Sequence, residues 1–161
     1  MLSRCSIIVV LLLFISCSDT LVYSEYKATT NGVWDKDDVK KFEVSSLDSI
    51  HPHDIYIMVR NDNTFPFSNL FLIADIQTPD DQITRDTLEF EMALPDGRWL
   101  GKGYGSVVEN KLWYKENIVF SSPGVYTIRL VHAMRQNGQV EGINNLKGIT
   151  DVGIEIERRE E

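Results

Sequence analysis

Residues 54–60 read Asp-Ile-Tyr-Ile-Met-Val-Arg, a short run in which every second side chain is branched and apolar. In an extended strand, successive side chains point to opposite faces. Ile55, Ile57 and Val59 would therefore share one face, while Tyr56 would lie on the other. This period of two predicts a strand with one face turned toward a hydrophobic core.

The same alternation recurs along the chain, and no window of comparable length shows the helical period. Further strands are predicted at Phe42–Val44, Leu70–Ile76, Thr87–Met92, Leu112–Phe120, Val125–Val131 and Thr150–Ile156. The segments between them are mostly short and contain turn formers such as Pro95-Asp96-Gly97. About seven to nine short strands with no room for crossover helices predict an all-β, antiparallel β-sandwich, immunoglobulin-like or jelly-roll-like.

One local pattern fits such a sandwich. Residues 123–127 (Pro-Gly-Val-Tyr-Thr) resemble the corner at which a tyrosine hydroxyl bonds back across the edge of a sandwich. The alternative is that Tyr126 is an ordinary core residue at the start of a strand.

The first residues have the pattern of a lipoprotein signal peptide. One cation, Arg4, precedes an unbroken apolar run from Ile7 to Ile15. This run is shorter than the roughly 20 residues that span a bilayer, and it suits the core of a secretory signal. Ser16 places a small residue before Cys17, where a lipoprotein signal peptidase would cut and leave an acylated cysteine. The alternative is a plain secretory signal with a stray cysteine.

These features divide the chain into four predicted segments. They are a signal peptide (1–16), a lipidated N-terminus and tether (17–30), a β-sandwich domain (31–157) and a charged tail (158–161). Within the tether, an early strand at Leu21–Tyr26 is the alternative. Beyond Cys17 the chain has no cysteine, so neither a disulfide nor a catalytic thiol is expected. The lipid predicts a membrane-anchored envelope protein, with the periplasmic face of the outer membrane favoured and the inner membrane left open.

Charge excludes some partners. The 161 residues include 16 Lys and Arg against 24 Asp and Glu, a formal net charge of -8, and no basic cluster stands out. A nucleic-acid-binding surface needs clustered cations that displace phosphate counterions, and binding of anionic lipid through a basic patch has the same requirement. Neither interaction is expected.

Two polar clusters resemble parts of metal sites. Residues 51–54 (His-Pro-His-Asp) offer two imidazoles, but a zinc site needs further ligands, and the remaining histidine, His132, falls within a predicted strand. Asp35, Asp37 and Asp38 lack the glycine and the bidentate glutamate of a calcium loop. No metal is expected.

Catalytic patterns are equally incomplete. Glu89 and Glu91 share a strand face, as a glycosidase pair requires, yet no second acidic strand faces them. Residues 101–105 (Gly-Lys-Gly-Tyr-Gly) lack the final Gly-Lys-Ser/Thr of a phosphate loop. The sequence therefore predicts no catalytic residue, no cofactor and no small-molecule substrate.

Aromatic residues in predicted loops and at strand ends are the remaining candidates. Phe65 and Phe67 flank a proline between two strands, Trp99 follows a turn, and Trp113 opens a strand. Exposed rings serve as anchors for a protein partner or as platforms for stacked sugars. The alternative interpretation is that they plug the end of the sandwich.

Five segments, in this order along the chain, carry a further signal: Arg60–Leu72, Asp86–Ala93, Asp96–Gly101, Leu112–Lys115 and Gly148–Gly153. Together they resemble the gliding motility lipoprotein GldH family of the Bacteroidota. The resemblance covers roughly Val33 to Ile156 and lies behind a lipoprotein signal.

The resemblance implies a function. The family is associated with the envelope apparatus that drives surface gliding and is linked to type IX secretion; it has no established catalytic residues, and its acylated cysteine corresponds to Cys17. It implies a lipid-anchored, non-enzymatic subunit whose partners are other envelope proteins. The alternative hypothesis is a surface glycan-binding lipoprotein that uses the rings of Phe65, Phe67, Trp99 or Trp113.

Overall fold

The computed structural model describes residues 20–45 and 47–159, except for the side chain of Tyr104. This part of the chain contains eleven strands: β1 (Leu21–Ala28), β2 (Val33–Asp35), β3 (Lys40–Val44), β4 (His53–Asp62), β5 (Asn69–Gln77), β6 (Ile83–Glu91), β7 (Lys102–Tyr104), β8 (Val107–Ile118), β9 (Tyr126–His132), β10 (Asn145–Lys147) and β11 (Ile149–Arg158). The described ranges hold no helix, and so no helix there could cross a membrane.

The strands form two main sheets. The five-stranded sheet has the order β1-β11-β4-β8-β7, and the four-stranded sheet has the order β3-β9-β5-β6. β2 and β10 pair separately as a short ribbon. All of these pairings are antiparallel. The predicted all-β, antiparallel sandwich is confirmed.

A single hydrophobic core lies between the two sheets. Ile55, Ile57 and Val59 of β4 are fully buried, as the alternation predicts, and they share the core with Leu70 and Leu72 of β5. Burial of each such side chain stabilises the fold by about 1.5–3 kcal/mol. The core therefore follows directly from the period of two.

The loops gather at two ends of the sandwich. We call one of them the Thr20 end: β1 begins there and β11 ends there. Leu21 pairs with Glu157, and the Arg158 N–H donates to the Thr20 carbonyl. Residues 47–52 and loops 78–82 and 119–125 lie at this end. The opposite Phe65 end carries loops 63–68, 92–101 and 133–144 together with β2, β7 and β10.

The N-terminal and C-terminal boundaries differ from the expected segments. Residues 21–28 fall within the expected tether but form β1, which pairs with β11, so the alternative of an early strand describes them. The alternation is weak here because β1 is an edge strand of polar composition. Arg158 ends β11 rather than starting a tail. The signal peptide 1–16 and Cys17 lie outside the described residues.

The predicted tyrosine corner is present. The Tyr126 hydroxyl accepts a hydrogen bond from the Ser122 backbone N–H at 3.0 Å. The Tyr126 ring also packs edge-on against Phe120, with centroids 4.9 Å apart. This contact holds the loop between β8 and β9 against the Thr20 end.

Candidate functional site

Three of the four candidate aromatic residues come together at the Phe65 end. The ring centroids of Phe65 and Phe67 lie 5.8 Å apart, and those of Phe65 and Trp99 lie 6.2 Å apart. Trp99 reaches this position because it pairs with Ala93 across the turn after β6. Its indole N–H donates to the Asn63 side chain at 3.3 Å. The fold thus brings three separately predicted residues together, and we call Phe65, Phe67 and Trp99 the aromatic cluster.

Phe65 is the buried member of the cluster. It is only 3% exposed and belongs to the hydrophobic core. A tight turn directs it inward: the Asp62 carboxylate accepts bonds from the Thr64 N–H and hydroxyl, and the Phe65 N–H donates to the Asp62 carbonyl at 3.2 Å. Phe65 therefore plugs the core, as the alternative interpretation has it, and a role for Phe65 in partner binding stays a prediction.

Gly148 explains how closely the chain packs around this plug. Its φ of +84° lies in the left-handed region that favours glycine. A Cβ at this position would overlap the backbone nitrogen and Cα of Phe65. The carbonyl of Gly148 accepts from the Asp62 N–H at 2.9 Å, so the same glycine also ties β11 to the turn.

Phe67 opens onto a groove of about 1000 Å³, which we call the Phe67 groove. It is bounded by residues 66–69, by Phe71 and Ile73 of β5, and by residues 133–139. Phe67 is half-buried and packs partly against the core. One ring therefore contributes to both the aromatic cluster and the groove.

The far wall of the Phe67 groove is anchored by its own hydrogen bonds. The Ala133 N–H donates to the Phe71 carbonyl at 2.8 Å, and the Phe71 N–H lies 3.2 Å from the Met134 sulfur. The Ile143 N–H donates to the Met134 carbonyl at 2.8 Å, which closes the loop on itself. Arg135 is the only charged residue among the described lining residues. The groove thus combines an apolar floor with polar, amide-bearing walls.

Charges beside the groove are paired within the four-stranded sheet. Arg85 binds both carboxylate oxygens of Asp75, at 2.6 and 2.7 Å. The hydrogen bond from Arg85 lowers the pKa of Asp75 below its ordinary value. Asn69 on the groove rim donates to Glu89 at 2.9 Å. These pairs fix the polar border of the groove.

Trp113 lies elsewhere, on the outer face of the five-stranded sheet. It is 51% exposed and meets the Tyr56 ring edge-on, with centroids 5.2 Å apart. The Lys111 ammonium lies 4.3 Å from the Tyr56 ring centroid and binds Glu157 at 2.6 Å and Glu155 at 3.3 Å. Burial lowers the pKa of Lys111, but these two carboxylates outweigh burial and leave the pKa raised. Trp113 is thus an accessible ring beside a fixed charge network.

A family model described as GldH lipoprotein matches residues 21–156, most of the chain. The chain belongs to the GldH lipoprotein family. Two relatives agree. A gliding motility lipoprotein GldH homolog of Christiangramia forsetii is 47% identical over 148 residues, which cover 92% of this chain and 90% of the relative. The gliding motility lipoprotein GldH of Flavobacterium johnsoniae is 40% identical over 149 residues, 92% of each chain.

Among solved structures, the infectious bursal disease virus VP2 subviral particle has a weakly similar chain. The TM-score is 0.36 and the sequence identity is 14%, and the match covers 85% of this chain and 30% of that one. At this level the likeness carries no functional information about the GldH family.

The histidines and acids considered as metal ligands are dispersed in this GldH-family chain. His53 is fully buried against Phe120, whereas the exposed His51 ring bonds Asp48. Asp54 instead accepts from the Asn117 N–H at 3.0 Å. Within residues 20–45 and 47–159, no three His, Cys, Asp or Glu side chains are grouped to hold a metal ion.

The floor of the Phe67 groove was not among the predicted sites of this family member. Phe71 and Ile73 alternate with the fully buried Leu70 and Leu72 along β5 and are only half-buried, and Phe71 also packs against the core. The available signal is that residues 70–76, apart from Asp75, are apolar on both faces, a pattern that is also typical of a central strand. Met134 carried no signal, because a loop supplies it.

Proposed function

We propose that this chain is a lipid-anchored, non-catalytic component of the gliding motility machinery, associated with type IX secretion, that binds other envelope proteins through the Phe67 groove. Both relatives are named gliding motility lipoproteins, which supports the motility association. The groove, formed by Phe67, β5 and residues 133–139, is the observation that carries the binding proposal.

The position of the groove supports this function. It opens at the Phe65 end, whereas the chain enters the sandwich from Cys17 at the Thr20 end. β4 joins the two ends with ten residues, or about 30 Å at 3.3 Å per residue. A partner could therefore reach the groove well away from the membrane that holds the lipid. We place that lipid on Cys17, on the periplasmic face of the outer membrane.

Crosslinking in intact cells followed by affinity capture of the full chain tests the groove. We expect stoichiometric envelope proteins with the wild type, and their loss with Phe67→Ala. Trp113→Ala is the matched control, since it removes a more exposed aromatic ring on another face. Denaturant melts must show that the Phe67 variant stays folded.

Other results of the capture experiment have definite meanings. Retention of polysaccharide instead of protein supports the glycan-binding alternative and contradicts the proposal. If only Trp113→Ala loses the partners, the binding site lies on the outer face of the five-stranded sheet. If both variants still capture the envelope proteins in full, neither the Phe67 ring nor the Trp113 ring is needed for binding.

Cys17→Ala tests the anchor separately. We expect the wild type to incorporate labelled palmitate and to sediment with membranes, and the variant to take no label and to become soluble. A second acyl chain is what makes such anchoring stable. A variant that remains in the membrane fraction, with an unlabelled wild type, would contradict lipidation.

A further inference from the structure

Exposed hydrophobic side chains are distributed unevenly over the molecule. Ten large ones are exposed among the described residues. Six of the ten lie at the Thr20 end: Leu21, Val22, Ile50, Ile83, Val119 and Val125. They come from the start of β1, the start of β6 and two loops that are distant in sequence. Scattered single apolar residues need no explanation, but convergence of separate segments on one end does.

Ile50 is the most prominent of these residues. It is 80% exposed in the loop between β3 and β4, and the Asp48 carboxylate accepts from its backbone N–H at 2.8 Å. Val119 and Val125 flank the neighbouring loop, which the bond between Ser122 and Tyr126 fastens to the sandwich. The apolar side chains are thus displayed on loops with fixed local structure.

The length of chain before β1 identifies what this end faces. Only four residue steps separate Cys17 from Leu21, the first residue of β1. Fully extended, they span about 14 Å. If Cys17 carries the lipid, the start of β1 is confined to this distance from the membrane surface. The Thr20 end then has to face the bilayer.

We infer that the Thr20 end is a membrane-contact surface, in which Ile50, Val119 and Val125 enter the boundary between lipid headgroups and acyl chains. The inference rests on lipidation of Cys17 in the proposed function. Apolar side chains at this depth add to the anchoring by acyl chains and fix the orientation of the domain. The contact would keep the Phe67 groove pointing away from the membrane.

Charge specifies the kind of lipid. Asp80 and Asp81 lie in the 78–82 loop, and Glu116 lies near the end of β8, all at the Thr20 end. Arg159 offsets part of this charge through contacts with Asp54 and Glu116 at 3.7 and 3.8 Å. An acidic border disfavours anionic headgroups. A surface of zwitterionic lipid is therefore the expected partner.

Site-specific labelling of the full, lipidated chain tests the inference. Cys5 leaves with the signal and Cys17 is acylated, so Ile50→Cys introduces a single reactive thiol. The labelled protein is reconstituted in phosphatidylethanolamine–phosphatidylcholine vesicles that contain nitroxide-bearing acyl chains. Val140→Cys is the matched control, because Val140 is 87% exposed at the Phe65 end. Val125→Cys provides a second position on the contact surface.

We expect the nitroxide lipids to quench a fluorophore at positions 50 and 125 several-fold more strongly than one at 140. A water-soluble quencher should show the reverse order. Equal quenching at all three positions, with acylation verified by mass, overturns the membrane contact and leaves the anchor intact. Protection from the aqueous quencher without lipid quenching indicates self-association and also overturns it. Absence of the acyl mass removes both the anchor and the contact that depends on it.

Discussion

The two ends of the sandwich are closed in different ways. The Phe65 end is extended by three short strands and closed by the aromatic cluster, so its largest rings are buried or half-buried. The Thr20 end is closed by plain loops and leaves six large apolar side chains exposed. Each end also holds one buried histidine, His132 and His53 respectively. One sheet architecture thus supports a closely packed end, which carries the proposed binding groove, and an end with exposed apolar side chains, which carries the proposed membrane contact.

The largest effect should come from a glycine in the closely packed end. Gly148→Ala forces a side chain into the left-handed region and against the Phe65 backbone. We expect a loss of about 4–5 kcal/mol in the free energy of unfolding. At the Thr20 end, the Cβ added by Gly124→Ala would contact only the Pro79 side chain, at 2.9 Å from the Pro79 Cβ. This substitution should lower the free energy of unfolding by less than Gly148→Ala does.

Chemical denaturation of both glycine variants provides the measurement. Gly97→Ala is the control for backbone strain alone, because its φ is also +84° but no atom lies within 4 Å of the added Cβ. It should cost about 1–2 kcal/mol. If Gly148→Ala costs no more than Gly97→Ala, close packing around Phe65 is not what holds this end together.

Truncation of the plug should have the next largest effect. Phe65→Ala empties a buried site and should destabilise by about 3–4 kcal/mol. Phe67→Ala removes a half-buried ring that faces the groove, and about 1–2 kcal/mol is expected. Denaturant melts compare the two. Equal losses would mean that both rings are plugs, and Phe67 would then not be a binding contact of the groove.

Acid should lower the free energy of unfolding through the buried histidine at each end. Burial lowers the pKa of His53, whose ring nitrogens lack a hydrogen-bond partner in the described structure, and burial also lowers the pKa of His132. Below about pH 6.5 the unfolded chain therefore binds more protons than the folded one. Stability should be constant above this pH and fall as the pH decreases toward the lowered values.

Thermal unfolding between about pH 5 and pH 7.5 measures this dependence above the range in which most carboxylates titrate. His53→Leu should make the stability depend less on pH, because it removes the buried histidine of the Thr20 end. His132→Leu should do the same for the Phe65 end, although the carbonyl of Trp34, 3.1 Å from Nε2, partly supports the charged ring. An unchanged slope in both variants would assign the acid sensitivity to other groups.

The smallest stability effect is expected on the open sheet face. Trp113→Ala removes a ring that is half exposed and contacts Tyr56 by one edge. About 1 kcal/mol or less should be lost. A loss as large as that of Phe65→Ala would show that Trp113 supports the sheet rather than serving as an accessible ring.

The sandwich was predictable because long strands with one buried face repeat every second residue. Residues 54–60 and their counterparts therefore mark the core and the strands that supply it. β1 was harder to recognise, since an edge strand with Ser24, Glu25 and Lys27 has little apolar alternation. β2, β7 and β10 have three residues each, too few for a period to emerge.

The candidate site was predictable only in part. Phe65, Phe67 and Trp99 were visible as aromatic residues near Pro or Gly, but their burial depends on contacts between distant segments. Gly148, which lies some 80 residues after Phe65 in the sequence, allows the chain to pack closely around Phe65. The same holds for Met134, which reaches the groove through the fold of its loop. Such placement is a tertiary property that no local pattern encodes.

The direction of β1 has a mechanical consequence. β1 starts at the Thr20 end and runs toward the Phe65 end, paired with β11 from Leu21–Glu157 to Ala28–Asp151. A force applied between the N-terminal lipid and a partner at the Phe65 end would act along the axis of this strand. The hydrogen bonds between β1 and β11 would then be loaded in shear and share the tension, whereas a sideways pull would peel them apart one after another. If Cys17 carries the lipid, as proposed, the tether enters the sandwich along its strongest direction.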